Sequence, residues 1–296
     1  MTRKKLNQLS GILVVTASTL LGIYSFIYPF LTPNLVQSAS PSGIRTNESP
    51  LMLVFLLAIS LLGLLSETQQ GASSARMVAL AGMLIAINSV LRFVEVAIPG
   101  PGGFSPIFFL IILSGYIFGA KIGFLIGALT LFVSALISGG VGPWLPSQMF
   151  TAGWVGMSSA VLPLLIRVFH LEGKKAEVGV LMIWGGLWGL AYGAIMNLWS
   201  WPFIFGTPDQ SWSPGMGWQT TLQRYAVFYL ATSLIWDLSR AFGNALLIGV
   251  FGRPTLQILR RFKTRFRFSY EDIQDCPSQL SPYAQLEGEP RDAARP

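Results

Sequence analysis

Cysteine, histidine and charged residues are all scarce in this chain. Its 296 residues include one Cys (Cys276) and one His (His170), and 11% are Asp, Glu, Lys or Arg, against about 25% in soluble domains. A thiolate or imidazole metal site needs several such ligands to converge, and a disulfide within one chain needs two cysteines. The sequence therefore predicts no metal site, no cofactor and no catalytic residues.

Apolar residues make up 52% of the chain and occur in long runs. A transmembrane helix needs about 20 mostly apolar residues to cross a hydrocarbon core of about 30 Å, and isolated strands cannot satisfy their backbone groups in lipid. We predict an all-α, polytopic membrane helix bundle with eight spans, at residues 11–31, 50–66, 76–94, 104–119, 121–138, 145–167, 177–198 and 222–251. The first span is too long for a signal peptide.

Basic residues give the chain a net charge of +7 and are concentrated in alternate loops. Short loops rich in Lys and Arg stay in the cytoplasm. With the N-terminus inside, the outer side holds at most Arg45, Arg92 and Arg224, and the inner side holds Arg3, Lys4, Lys5, Arg76, Lys121, Arg167, Lys174, Lys175, Arg260, Arg261, Lys263, Arg265 and Arg267. We predict a multi-pass protein of the bacterial cytoplasmic membrane with both termini in the cytoplasm, contacting lipid rather than nucleic acid.

The chain divides into three predicted segments. Residues 1–74 hold two N-terminal transmembrane helices and a linker, residues 75–253 hold a six-helix core, and residues 254–296 hold a basic cytoplasmic segment and a disordered tail. Small residues recur at four-residue spacing in the core, as in Gly123 and Gly127 or Gly185, Gly189 and Gly193. We interpret them as sites where neighbouring helices pack closely.

Four ionisable residues are predicted at membrane depth, where each costs at least about 2.5 kcal/mol. Arg92 and Glu95 lie near the outer end of the third span, and Asp237 and Arg240 lie near the middle of the eighth. Asp237 and Arg240 are three residues apart, so their charges can neutralise each other on one helix face. A structural role and a ligand-binding role stay open for both pairs.

Tryptophan is concentrated near the predicted outer loops, which hold Trp144, Trp154, Trp199, Trp201, Trp212 and Trp218 or adjoin them. This density fits an interfacial aromatic belt and also a wall for a planar or amphipathic ligand. The loops Pro99–Pro106 and Gly139–Gln148, rich in Gly and Pro, either close over a ligand or are plain connections. The candidate substrate-binding residues are Arg92, Glu95, Trp144, Gln148, Asn197, Trp199, Asp237 and Arg240.

Three stretches of the core are distinctive, namely ARMVALAGMLIAINSVLR (75–92), GGFSPIFFLIILSGYIFGAKIGFLIGALT (102–130) and GGVGPWLPSQMFTAGWVG (139–156). They resemble the substrate-binding S component of an energy-coupling factor (ECF) transporter. The resemblance covers the third to eighth spans and implies the six-helix fold of that family. It also implies capture of a vitamin-type small molecule and docking on a membrane scaffold (T) subunit served by two cytoplasmic ATPase subunits. The two N-terminal helices depart from this pattern, and their role stays open.

The resemblance also implies a docking surface and a solute. In that family an Ala-x-x-x-Ala pattern on the first core helix contacts the scaffold, and here Ala75 and Ala79 match it, with Gly82 continuing the small face. A cobalamin-associated branch is the most similar, so cobalamin is the expected solute, with riboflavin and thiamine as alternatives. The chain is thus expected not to be an enzyme. A stand-alone secondary transporter of a small organic solute is the alternative, since it also needs buried charges.

Overall fold

The computed structural model describes residues 3–31, 49–68, 72–97, 104–204 and 207–265, and the regular structure of these residues is helical throughout. This confirms the predicted all-α bundle. The helices are α1 (Arg3–Leu31), α2 (Ser49–Thr68), α3 (Ala72–Ala97), α4 (Ile107–Phe118), α5 (Ala120–Ser138), α6 (Leu145–Ser158), α7 (Leu162–Val168), α8 (Lys175–Ser200), α9 (Trp218–Thr232) and α10 (Leu234–Arg265). Arg45, most of the loop Pro99–Pro106 and the tail with Cys276 lie outside the described residues.

Six helical segments of the described chain are long and apolar enough to cross a membrane, and they start at residues 11, 75, 120, 145, 175 and 234. They correspond to six of the eight predicted spans. The other two spans contain shorter apolar helical stretches, Leu51–Gly63 in α2 and Ile107–Phe118 in α4. The protein is therefore a polytopic membrane protein; α2 covers the whole predicted span 50–66, whereas α4 is shorter than its predicted span 104–119.

Helix α4 is the shortest of the predicted spans and the most deeply buried. It has 12 residues, which makes it about 18 Å long at about 1.5 Å per residue, less than a hydrocarbon core of about 30 Å. Every residue from Ile107 to Ile117 is buried, as expected for a helix that is apolar on all sides. Contacts with α3, α5, α6, α7, α8 and α10 surround it, so protein rather than lipid covers this helix.

The span predicted at 222–251 consists of two helices. Helix α9 ends at Thr232 and α10 begins at Leu234, because Ser233 has backbone angles outside the helical region (φ −128°, ψ −23°). The Thr232 hydroxyl donates a hydrogen bond of 2.7 Å to the carbonyl oxygen of Phe228, a local bond that competes with regular helix geometry. Asp237 therefore lies in the first turn of α10 rather than in the middle of a long helix. Helix α10 then continues past residue 254 to Arg265.

Glycine lets the backbones of neighbouring core helices touch. A methyl group added at Gly115 or Gly123 would overlap the carbonyl oxygen of Gly156, and one added at Gly127 would overlap the carbonyl oxygen of Ala152. The same holds between α8 and α10, where Gly189 faces the backbone of Ala241. These contacts confirm the packing interpretation for these small residues.

The two N-terminal helices pack on the core as a pair. Helices α1 and α2 contact each other, and both contact α5 and α6. Gly22 of α1 lies so close to the indole of Trp154 in α6 that an added methyl group would overlap it, and the ring of Phe26 lies 5.8 Å from that of Trp154. Helix α1 is thus held against the core by a glycine that leaves space for a large aromatic side chain of α6.

Replacing Gly156 with Ala should destabilise the protein, because the new methyl group meets the backbone of Gly123, which cannot rotate away as a side chain can. Overpacking of this kind costs about 1–3 kcal/mol, and we expect a lower midpoint of thermal unfolding in detergent. The control is Gly179→Ala in α8, where an added methyl group meets nothing within 4 Å. Equal midpoints for the two variants would contradict the close contact between α5 and α6.

Candidate polar and aromatic site

Both predicted ion pairs form, and they lie at the same end of the bundle. The Arg92 guanidinium pairs with the Glu95 carboxylate on α3, and the Arg240 guanidinium pairs with the Asp237 carboxylate on α10. The Ser105 hydroxyl also donates a hydrogen bond of 2.6 Å to Glu95. We call Arg92, Glu95, Asp237 and Arg240, together with Tyr192 between them, the charged cluster.

Tyr192 of α8 joins the two pairs. The guanidinium carbon of Arg240 lies 5.4 Å from the centre of its ring, within the range of a cation–π contact. The ring of Tyr192 also meets that of Phe108 edge-on at 4.7 Å. Tyr192 is within electrostatic range of both Arg92 and Glu95, and Glu95 is within range of Arg240. Tyr192 is not among the predicted site residues, because no local pattern in the sequence connects it to charges on α3 and α10.

The short helix α4 leaves room for this cluster. Because α4 begins only at Ile107, Phe104 and Ser105 enter the bundle as non-helical chain, with the Phe104 ring packed directly on Gly243 of α10. The side-chain amide of Asn88 in α3 donates a hydrogen bond of 3.1 Å to the carbonyl oxygen of Ile107. Non-helical backbone at membrane depth is tolerated where protein covers it and supplies partners. The first turn of α4 is therefore anchored next to the charged groups.

The carboxylates of the cluster are more deeply buried than the guanidinium groups. The side chains of Asp237 and Glu95 are 2% and 15% exposed, whereas those of Arg240 and Arg92 are 17% and 27% exposed. Asp237 packs on Gly193 of α8, where an added methyl group would overlap the carboxylate. A molecule that reaches this end of the bundle thus meets hydrogen-bond donors of the two arginines first.

Asn197 lies beside the cluster, while three other predicted residues make separate contacts. The Asn197 amide donates a hydrogen bond of 2.7 Å to the Ser233 hydroxyl, at the break just before α10. The described contacts of Trp144 and Gln148 are local to the start of α6: the backbone N–H of Gln148 donates a hydrogen bond of 3.0 Å to the Trp144 carbonyl oxygen, and the Trp144 indole covers Gly142. Trp199 packs against the hydrophobic core. Their part in substrate binding stays a prediction.

A cavity of about 550 Å³ lies between α1, the end of α8 and the start of α9. Six aromatic side chains contribute to its wall, namely Phe26, Phe30, Trp201, Trp212, Trp218 and Tyr225. We call this cavity the aromatic pocket. Three of these residues belong to the tryptophan concentration noted in the sequence. The contribution of α1 could not be predicted, because no local pattern shows which core surface an additional helix covers.

The opposite end of the bundle is held together by a buried carboxylate. Glu177 of α8 accepts hydrogen bonds from the Tyr116 hydroxyl at 2.6 Å and from the Gly173 amide at 2.7 Å, and it pairs with Arg260 of α10. The Lys263 ammonium donates to the carbonyl oxygen of Ile117. Sequence reasoning missed this network because its partners are 61 and 83 residues apart. It fastens the basic end of α10 to α4 and α8.

No group of three or more His, Cys, Asp or Glu side chains within the described residues is arranged to hold a metal ion. The charged cluster offers two carboxylates, and each is already paired with an arginine. The arrangement can therefore hold a polar organic group by hydrogen bonds and charge, next to an apolar ring surface.

Residues 76–250 match the family model described as ECF transporter, substrate-specific component. The match covers more than half of the 296-residue chain. The chain belongs to this family. No curated protein and no solved structure matches it. In this S component the matched region runs from α3 into α10, so it contains the charged cluster, whereas α1 and α2 precede it.

The first helix of the S component core exposes its small residues. Ala75, Ala79 and Gly82 of α3 are exposed in the described structure, and nothing lies within 4 Å of the position where a side chain of Gly82 would begin. The N-terminal helices therefore leave the predicted docking face open. Its role in docking stays a prediction.

Replacing Asp237 with Asn should destabilise the S component, because Arg240 then keeps its charge among buried groups without its carboxylate partner. Hydrogen bonds to charged groups contribute about 1.5–3 kcal/mol, so we expect a clear fall in the thermal unfolding midpoint. The double variant Asp237→Asn/Arg240→Gln should recover part of the loss, which a double-mutant cycle measures.

The matched control for this experiment is Glu172→Gln. Glu172 pairs with Arg167 at 3.8 Å in an exposed position, with side chains 61% and 75% exposed, and such surface pairs contribute about 0–1 kcal/mol. If Asp237→Asn changed stability no more than Glu172→Gln, the buried pair would not hold α10 in place.

Proposed function

We propose that this S component captures a vitamin or related micronutrient for an ECF-type importer of the bacterial cytoplasmic membrane. The observation that carries the proposal is the charged cluster. Buried charges at membrane depth are costly and are characteristic of substrate pathways, and here the ion pair of α10 contacts Tyr192 and the ion pair of α3 lies within electrostatic range of it. Arginine donors beside aromatic rings form the mixed polar and apolar surface typical of small-molecule sites.

The size of the neighbouring cavity bears on the identity of the solute. A volume of about 550 Å³ lies within the range of about 300–1,000 Å³ that is usual for small-molecule pockets. Cobalamin is the solute expected from the resemblance, but it is much larger than riboflavin or thiamine. Riboflavin and thiamine fit within a volume of this size, and their flat rings match its aromatic wall.

The proposed orientation places the charged cluster outside and the Glu177 network inside. The basic side chains of Arg76, Arg167, Lys174, Arg260 and Lys263 belong to the helix ends on the Glu177 side, and an excess of Lys and Arg marks the cytoplasmic side. Both termini are then cytoplasmic, and the solute enters from outside. On the inner side a scaffold (T) subunit and two ATPase subunits complete the importer.

A stand-alone secondary transporter is the second candidate, and the helix break at Ser233 favours it. Such transporters place broken helices and buried charges together, as α9, α10 and Asp237 do here. Uptake measured in a host that lacks every ECF ATPase separates the two functions. Uptake that persists there supports the secondary transporter, and uptake that requires the ATPases supports the S component.

Native mass spectrometry of protein purified from rich medium should detect a bound vitamin-type molecule.

Single Ala substitutions of Arg92, Trp144, Gln148 and Asn197 should each lower the affinity for this molecule without unfolding the protein. The loss of one charged hydrogen bond of Arg92 should weaken binding by about tenfold or more. The control is Arg167→Ala, at an exposed pair on the other side of the bundle. Unchanged affinity in all four variants would remove these residues from the site.

Replacing Ala79 with Leu should abolish ATP-dependent uptake while leaving solute binding intact. Ala79 is exposed on α3, and a bulky side chain there would hold a docking helix away from the small face. Ala226→Leu, at an exposed position of α9, is the control and should leave uptake unchanged. Loss of binding together with uptake would count against a docking role for Ala79.

A further inference from the structure

We propose that the aromatic pocket and the charged cluster are two halves of one site, and that the N-terminal helix α1 is a wall of that site. The proposal rests on the proposed function and specifies its substrate class. The solute is a flat ring system with a polar end, whose ring lies in the aromatic pocket and whose polar end reaches the arginines. Helix α1 is then a binding element that the family region, residues 76–250, does not contain.

The two halves adjoin at Tyr225. Its hydroxyl, at the wall of the aromatic pocket, donates a hydrogen bond to the carbonyl oxygen of Ala194. The carboxylate of Asp237 packs on Gly193, the neighbouring residue of α8, and Tyr225 is within electrostatic range of Asp237. One helical segment of α8, at Gly193 and Ala194, therefore borders both the residues of the aromatic pocket and the charged cluster.

Three polar groups of the pocket wall have partners within the protein. The Trp201 indole N–H donates to the carbonyl oxygen of Gln210 at 2.7 Å, and the Thr221 hydroxyl donates to that of Gly217 at 3.0 Å. With these groups and the Tyr225 hydroxyl engaged, the wall offers ring faces and apolar side chains. Such a wall selects a solute by stacking and shape. The polar end of the solute is then recognised by Arg92 and Arg240.

Helix α1 forms one side of this wall through Phe26, Ile27 and Phe30. The Phe30 ring meets that of Trp212 edge-on at 5.4 Å and lies 6.0 Å from that of Trp201. Phe30 is thus in direct contact with the segment 207–217, which forms another side of the pocket. The Arg224 guanidinium donates to the carbonyl oxygen of Ser211 at 3.0 Å and ties this segment to α9.

The test uses full-length protein purified from medium supplemented with riboflavin, thiamine and cobalamin, with the co-purifying solute identified and its occupancy measured by native mass spectrometry. Phe30→Ala and Trp212→Ala should each lower the affinity for that solute by about 2- to 10-fold, the range of one aromatic contact. Ile27→Trp, which narrows the pocket without removing a wall residue, should lower it as well.

Two aromatic residues outside the pocket provide matched controls. Tyr24 lies on α1 and is 51% exposed, and Trp236 lies on α10 and is 55% exposed. Tyr24→Ala and Trp236→Ala should keep the affinity of the unchanged protein. Thermal unfolding midpoints of all five variants establish that a lost affinity does not come from a lost fold.

The outcomes separate this inference from the proposed function. A ring-bearing solute that binds more weakly to the three pocket variants supports the inference. A solute without a ring, or unchanged affinity in the three variants, overturns the inference and leaves solute capture intact. A phospholipid in the pocket of the unchanged protein, displaced in the variants, also overturns it. Purified protein with no bound small molecule, and no affinity for any of the three vitamins, overturns the proposed function itself.

Discussion

The length of α4 is the constraint on which the polar end of the bundle depends. A helix of 12 residues surrounded by six others can stop at membrane depth, since protein groups satisfy the chain that precedes it. Asn88 bonds its first turn, and Ser105 bonds Glu95. A longer α4 would fill the space that these groups occupy, and the charges of α3 and α10 would then be separated by an apolar helix.

Close backbone packing sets the positions of the charges that this space admits. Asp237 can lie against α8 only because residue 193 is Gly, and α10 approaches α8 at Gly189 for the same reason. The approach of the two helices places the Arg240 guanidinium over the Tyr192 ring. Small residues are therefore not only packing elements in this protein, because their contacts also determine where a buried ion pair meets an aromatic ring.

The family region and the N-terminal helices have different relations to the site. The charged cluster belongs entirely to residues 76–250, the part that matches ECF substrate-specific components. The aromatic pocket is shared, since α1 supplies one side and residues of α8, α9 and the segment 207–217 supply the others. On the proposal that the aromatic pocket and the charged cluster form one site, α1 contributes to solute selection without a change in the helices that carry the charges.

Hydropathy, small-residue spacing and the i, i+3 charge pairs determined the helical membrane fold, the positions at which helices pack closely and the two ion pairs, because each pattern lies within a short stretch of the chain. Tertiary structure alone decided which pairs meet across helices. No local sequence pattern predicts the contacts that join distant parts of the chain. Examples are the approach of both ion pairs to Tyr192, the pairing of Glu177 with Arg260 across 83 residues and the placement of Phe30 beside Trp212. They depend on how the helices are arranged around α4, and that arrangement follows from packing of the whole bundle rather than from any one segment.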